Sequence, residues 1–198
     1  AICSKYEIPL IEDSAEALGS TYKNKKCGTF GDFAILSFNG NKIITTSGGS
    51  ALVGPTNETK EKTIFLSTQA RDNAPHYQHS EIGYNYRLSN ICAGIGRGQM
   101  EVLPDRIQQR RAINDFYKDV FSNIDAVNLF SEASSDFFSN HWLSSITIDK
   151  KVTTRTNQEL MAAFAEENIE TRPLWKPMHL QPFFNDCKYY GETVSEEL

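Results

Sequence analysis

The fold is decided by the stretch IEDSAEALGSTYKNKKCGTFGDFAILSFNGNKIITTSGG, residues 11–49. Its second half contains the apolar run FAILSF, residues 33–38, and its start overlaps a first apolar run, IPLIE, residues 8–12. Near-continuous apolar runs of this length are typical of strands that are buried on both faces. The stretch therefore predicts two strands of an α/β sheet, with Asp13 directly after the first and Lys42 shortly after the second.

Polar side chains gather where these two predicted strands end. In open α/β sheets, ligands bind beyond the carboxyl ends of the strands. The side chains placed there by the sequence are Asp13, Ser37, Asn39 and Lys42.

Pyridoxal phosphate gives a chemical reason for this combination of residue types. The cofactor needs a lysine amine to form a Schiff base and a carboxylate to keep its pyridine nitrogen protonated, which Lys42 and Asp13 could supply. Its phosphate needs hydroxyl and backbone N–H donors, which Ser37 and the turn after Lys42 could provide. Spacing alone does not identify such a site, because a lysine near a strand end is usually a solvated surface charge.

The rest of the chain predicts a larger and a smaller domain. Ser89 can cap one helix, and Thr156 with Glu159 forms a capping box for another. The composition becomes more polar from about residue 123, which predicts a large-domain portion over 1–122 and a second, smaller α+β domain over 123–198. The predicted elements are a strand over 50–53, helices over 58–71, 89–103 and 104–121, a long loop over 72–87, a strand over 143–149 and a helix from Thr156.

Composition excludes several classes of protein. With 198 residues, 39% of them hydrophobic, and a net charge of −5, the chain is neither disordered, collagen-like nor a coiled coil. Its basic residues are scattered, which argues against a nucleic-acid partner. The four cysteines lack metal-ligand or disulfide-framework spacing.

Neither a membrane-length apolar run nor a signal peptide is readable, so we expect a cytoplasmic protein. Both ends read as interrupted helices, so we also expect a piece of a longer chain.

Three segments resemble the DegT/DnrJ/EryC1/StrS family, the pyridoxal-phosphate aminotransferases that aminate nucleotide-linked keto sugars. They are residues 11–49, STQARDNAPHYQHSEIGYNYRLSNICAGIGRGQMEVL (67–103) and ETRPLWKPMHLQPFF (170–184). The resemblance implies the type I aminotransferase fold, with a mixed-sheet large domain and a smaller C-terminal α/β domain. SFNGNKIITTSGG, STQAR and TRPLWK are most similar to members that use glutamate to aminate a UDP-linked 4-keto-6-deoxy-N-acetylhexosamine.

The resemblance also implies roles for individual residues. Lys42 matches the family's Schiff-base lysine, Asp13 the partner of the pyridine nitrogen, and Ser37 the serine that holds the phosphate. Glu16 stands beside the position of the cofactor ring. Asn85 matches an asparagine that reaches the cofactor phosphate of the neighbouring subunit, which implies a homodimer with shared active sites.

Three further residues are expected on the substrate side, and two alternatives to the aminotransferase stay open. The substrate-side residues are Asn39, Arg172 and His179. A related sugar dehydratase would typically have histidine at the position of Lys42, so this lysine favours the aminotransferase. The other alternative is a non-catalytic fragment, since the N-terminal part of the family pattern, which completes the cofactor pocket, is not in this sequence.

Overall fold

The computed structural model describes residues 2–191 and 193–197, which contain eight short strands and six α-helices joined by turns and loops. The helices are α1 (Ile2–Lys5), α2 (Asn57–Ser67), α3 (Asn90–Glu101), α4 (Leu103–Phe121), α5 (Asn157–Glu166) and α6 (Val194–Glu197). The strands are β1 (Ile11–Asp13), β2 (Thr21–Tyr22), β3 (Lys25–Lys26), β4 (Phe33–Ser37), β5 (Ser50–Val53), β6 (Val127–Leu129), β7 (Phe137–Phe138) and β8 (Ile146–Ile148). Single turns of 3₁₀-helix cover Met178–Leu180 and Pro182–Phe184.

The sheet that carries the predicted site has the order β1-β4-β5 and is mixed. β1 runs parallel to β4, whereas β5 is antiparallel to β4. This confirms the predicted mixed α/β architecture. The first strand begins later than predicted, at Ile11, because the backbone of Leu10 instead exchanges hydrogen bonds with Asp32.

A second small sheet, β3-β2-β7, was not predicted. Its β2-β3 hairpin turns through Lys23 and Asn24, whose φ angles are 49° and 61°. A two-residue hairpin loop of type I′ needs positive φ at both positions, and its usual sequence signal includes a glycine that is missing here. Strand β7 consists of Phe137–Phe138 and lies in a stretch of mainly polar composition, so the sequence pattern did not predict a strand there.

The helices follow the prediction closely, except at the end of α2. This helix ends at Ser67 rather than near Arg71, because Gln69 and Ala70 adopt φ angles of 66° and 48° that no α-helix accommodates. The predicted caps are confirmed: Ser89 Oγ accepts from the N–H of Cys92 at 3.2 Å, and α5 has its capping box.

The chain divides into two compact units. The first runs to Ile113 and regains residues Glu132–Leu143, whereas the second comprises Asn114–Ser131 and the chain from Ser144 onward. The boundary predicted near residue 123 stays a prediction about domains, since these units interleave. The buried apolar side chains of the first unit are Ala34, Ile44, Ala70, Leu103 and Trp142. None of the helices within residues 2–191 and 193–197 is long and apolar enough to cross a membrane.

Candidate active site

Asp13 and Ser37 lie at the same edge of the mixed sheet. In the parallel register Asp13 pairs with Ile35, and Ser37 is two residues further along β4. Because side chains alternate along a strand, Asp13 and Ser37 are on the same face of the sheet, where β1 and β4 both end. Asp13 is exposed, with Oδ1 accepting from the N–H of Ala15 at 3.2 Å.

Lys42 is held by a closed turn that follows β4. The N–H of Phe38 donates to Gly49 O, and the N–H of Thr46 donates to Phe38 O, both at 3.0 Å. Gly49 has a φ of 96°, and a Cβ there would collide with the side chain of Leu88, so glycine is required. Since the turn is closed at its base, its position relative to β4 is fixed.

The amine of Lys42 lies between a carboxylate and an aromatic ring. Its Nζ is 2.8 Å from Glu16 Oε1 and 4.5 Å from the ring centroid of Trp142. The Lys42 side chain is only 12% exposed, in contrast to an ordinary surface lysine. The contact between Glu16 and Lys42 was not predicted from the sequence, and the predicted place of Glu16 beside a cofactor ring stays a prediction.

Asn140 and Trp142 complete this neighbourhood, and sequence reasoning missed both. Asn140 Nδ2 donates to Glu16 O at 2.9 Å and to Leu18 O at 3.0 Å. Its Oδ1 accepts from the N–H of Trp142 at 2.9 Å, and Trp142 Nε1 donates to Asn41 O at 2.6 Å. Apart from the bond between Asn140 and Trp142, the bonded residues stand 101 to 124 positions apart. A separation of that size leaves no local sequence pattern to read.

An ion-paired cluster holds the segment that carries these two residues. Arg111 donates to Glu132 Oε1 at 2.7 Å and to Ser139 O at 2.6 Å, and the N–H of Ser139 also donates to Glu132 Oε1. His141 Nε2 is 3.7 Å from the same carboxylate oxygen. The hydrogen bond from Arg111, supported by the one from Ser139, lowers the pKa of Glu132 despite its partial burial.

Glu12 plays a similar part beside the end of β1. Its carboxylate accepts from the backbone N–H groups of Gly28, Phe30 and Gly31, with distances of 2.8 Å for the first and 2.6 Å for the last. Burial by itself raises the pKa of Glu12, but these three donors outweigh it and the net shift is downward. The carboxylate thereby fastens a loop against the strand that ends in Asp13.

The other two predicted residues of the first unit are exposed. Asn39 lies in the Lys42 turn, where its carbonyl accepts from the N–H of Lys42 at 3.1 Å. Asn85 lies in the long loop, where its backbone pairs with Thr68, and its neighbours Tyr84 and Tyr86 stack on each other at 5.3 Å. The structure thus leaves the Asn85 side chain at the surface of the unit.

Arg172 and His179 belong to the second unit, where each has a partner. Arg172 is exposed and its Nε donates to Glu170 Oε1 at 2.7 Å. The His179 Nε2 is 2.8 Å from Glu196 Oε1, and the His179 ring stacks on Tyr189 with 3.7 Å between centroids. Their substrate-side roles stay predictions.

The first unit therefore offers a primary amine, two carboxylates and a hydroxyl around the end of β4. The Lys42 amine can attack a carbonyl carbon, and Glu16 Oε1 is within reach to accept a proton from it. Within the described residues, no group of three His, Cys, Asp or Glu side chains could hold a metal ion.

Comparisons with known proteins place the chain in a family. The model of the DegT/DnrJ/EryC1/StrS aminotransferase family matches residues 1–198. The chain is 50% identical to EpsN of Bacillus subtilis, provisionally named a pyridoxal phosphate-dependent aminotransferase, over all of this chain and 51% of that protein. It is 41% identical to a GDP-perosamine synthase of Escherichia coli O157:H7, over 96% of this chain and 50% of that enzyme.

The fold is shared with the solved structure of an aminotransferase. Helicobacter pylori PseC, an aminotransferase of pseudaminic acid biosynthesis, superposes with a TM-score of 0.86 at 25% identity, over 99% of this chain and 53% of that one. The chain thus spans about half the length of the curated relatives and the solved structure that it matches.

Proposed function

Because the chain belongs to the DegT/DnrJ/EryC1/StrS aminotransferase family, we propose that it is the lysine-bearing part of a cytoplasmic, pyridoxal-phosphate-dependent nucleotide-sugar aminotransferase. Its amino donor is glutamate, and its acceptor is a UDP-linked 4-keto-6-deoxy-N-acetylhexosamine. The observation that carries the proposal is the Lys42 amine, shielded from solvent on a closed turn at the end of β4 and 2.8 Å from a carboxylate.

The residues present fit pyridoxal phosphate. Lys42 would bind it covalently, Asp13 would hold its pyridine nitrogen, and Ser37 would donate to its phosphate; the last two share one face and one edge of the sheet. When bound, the cofactor supplies an electron sink that lets a proton leave the amine-bearing carbon of the donor. Lys42 Nζ, once released, carries that proton, and Glu16 Oε1 can hold or return it.

The remaining predicted residues complete the proposal. Asn39, Arg172 and His179 would contact the substrate. Asn85 would reach the active site of a second subunit in a homodimer, which its exposed position on the long loop supports. A residue that must act on a partner has to lie at the surface of its own subunit.

GDP-linked keto sugars are the second candidate substrates. The sequence resemblance favours a UDP sugar, whereas the 41% identity to a GDP-perosamine synthase favours a GDP sugar. The two candidates are distinguished by measuring kcat/KM for amination with glutamate as donor and matched UDP- and GDP-linked 4-keto sugars as acceptors. We expect the UDP sugar to have the larger kcat/KM, and a preference for the GDP sugar would reverse this part of the proposal.

The experiment that tests the cofactor is borohydride reduction in the presence of pyridoxal phosphate, followed by peptide mapping. Lys62 is the control in the same digest, since it also pairs with a glutamate but has a side chain that is 51% exposed. We expect the added mass on Lys42 and little on Lys62. Equal labelling of the two lysines, or no label on Lys42, would favour the non-catalytic alternative for this chain.

A further inference from the structure

We propose that Trp142 is the positioning residue of Lys42, and that its indole face fixes where the amine lies. The ring centroid is 4.5 Å from Lys42 Nζ, well within the distance at which a cation is attracted to an aromatic face. Trp142 is 6% exposed, so little water competes for this contact. Tryptophan is also the aromatic side chain that attracts cations most strongly.

The indole is itself fixed at two points. Its Nε1–H donates to the carbonyl of Asn41, the residue directly before Lys42, at 2.6 Å. Its backbone N–H donates to Asn140 Oδ1, and Asn140 in turn is bonded to the backbone of Glu16. The ring is thus tied to the same turn that carries the lysine and to the same segment that carries the carboxylate.

These constraints limit the conformations of the Lys42 side chain. A free lysine side chain has many rotamers, and ordering it costs conformational entropy. Here Glu16 attracts the amine on one side and the anchored indole on the other, so the structure preorganises Nζ before any ligand binds. The benefit to catalysis rests on the proposed function, because a lysine that binds a cofactor and then moves a proton must return to one place.

The test measures how fast a small acetylating reagent reacts with individual lysines of the folded chain, with mass spectrometry of the peptides. In the wild type we expect Lys42 to react more slowly than Lys62. Trp142→Leu should raise the Lys42 rate about five-fold and leave the Lys62 rate unchanged. Trp142→Phe keeps an aromatic face and should stay within about two-fold of the wild type. An unchanged Lys42 rate in folded Trp142→Leu would overturn the proposal.

Phe65→Leu is the matched control, since Lys62 Nζ lies 5.3 Å from the Phe65 ring in an exposed position. We expect no change in the acetylation rate of Lys42 and a change of less than about two-fold in that of Lys62.

If Trp142→Leu does not fold, tryptophan fluorescence emission tests the proposal instead. In a Trp175→Phe chain, Trp142 is the sole indole. Lys42→Met should then change its emission and Lys62→Met should not, and an equal response to both would overturn the proposal.

A cofactor readout separates this inference from the proposed function. With pyridoxal phosphate and borohydride, we expect Trp142→Leu to reduce the rate of labelling at Lys42 and Trp142→Phe to restore it. If the wild-type chain acquires no label while the acetylation contrast persists, the proposed function fails and the positioning of Lys42 by Trp142 stands. If the wild-type chain is labelled at Lys42 but Trp142→Leu does not change the acetylation rate of Lys42, the positioning role of Trp142 is wrong and the proposed function stands.

Discussion

Lys42 and Lys62 have the same two kinds of neighbour, a glutamate and an aromatic ring. Their Nζ atoms lie 2.8 Å and 2.5 Å from a glutamate oxygen, and 4.5 Å and 5.3 Å from the ring centroids of Trp142 and Phe65. The difference is burial, since the Lys42 side chain is 12% exposed and that of Lys62 is 51% exposed. Similar contacts therefore occur in a shielded and in a solvated setting.

The two lysines also differ in the framework of bonds that holds the aromatic ring beside each of them. Phe65 lies on the same helix as Lys62, three residues away, and needs only helical geometry to be near it. Trp142 reaches Lys42 because Asn140 and Asn41 hold it there by hydrogen bonds across the unit. An exposed lysine can therefore have a glutamate and an aromatic ring as neighbours without any special framework. The hydrogen bonds that hold Trp142 beside Lys42 are what make Lys42 a candidate functional residue.

Replacing each lysine gives the largest expected contrast. Under the proposed function, Lys42→Met should lower turnover about a thousand-fold or more, because the group that moves the proton is lost. Lys62→Met should leave turnover unchanged, and both variants should melt near the wild-type temperature. Steady-state assays with thermal unfolding check this, and sustained turnover in folded Lys42→Met would remove the assignment.

Removing the hydrogen bonds of Asn140 should mainly lower the free energy of unfolding. Asn140→Ala should lower the free energy of unfolding by about 2–3 kcal/mol, because two carbonyls and the Trp142 N–H lose a buried partner. Asn123→Ala, in an exposed position, should change it by less than about 0.5 kcal/mol. Urea unfolding measures both, and a loss from Asn140→Ala as small as the one expected from Asn123→Ala would show that the Asn140 hydrogen bonds do not stabilise the fold.

Lowering the pH should weaken the support of the same segment. The pKa of Glu132 is lowered on folding from its ordinary value of 4.5, so the stability it contributes is fully present above that value and lost as pH falls through the folded-state pKa. Glu132→Gln should cost about 1–2 kcal/mol at pH 7. This difference should shrink towards pH 3, and a pH-independent difference in urea unfolding would contradict the linkage.

The smallest effect is expected at the exposed pair. Glu81→Gln should change the free energy of unfolding by less than about 0.5 kcal/mol, because water and salt screen its contact with Lys62. The same measurement in 1 M salt should reduce even that difference. A loss comparable to that of Asn140→Ala would mean that exposure does not separate the two lysine sites.

Much of the fold was predictable because its signals are local. Thr156 and Glu159 form their capping box within one turn, and FAILSF forms β4 as an apolar run should. The β2-β3 hairpin was missed because Lys23 and Asn24 adopt positive φ without the usual glycine. The resemblance predicted Glu16 beside the cofactor ring, but its contact with Lys42 was not predicted. Trp142 and Asn140 were not predicted either, because they bond to segments more than 100 positions away in the chain.

By itself the sequence determined the β4 strand, the turn with Lys42 and the resemblance of these motifs to one aminotransferase family. Each of these is encoded in contiguous residues, by apolar runs, turn residues and spacing. Only the tertiary structure decided that the amine is shielded, and which ring and which amide hold it. That information depends on segments such as 132–143 returning to the first unit, and long-range packing leaves no periodic pattern in the sequence.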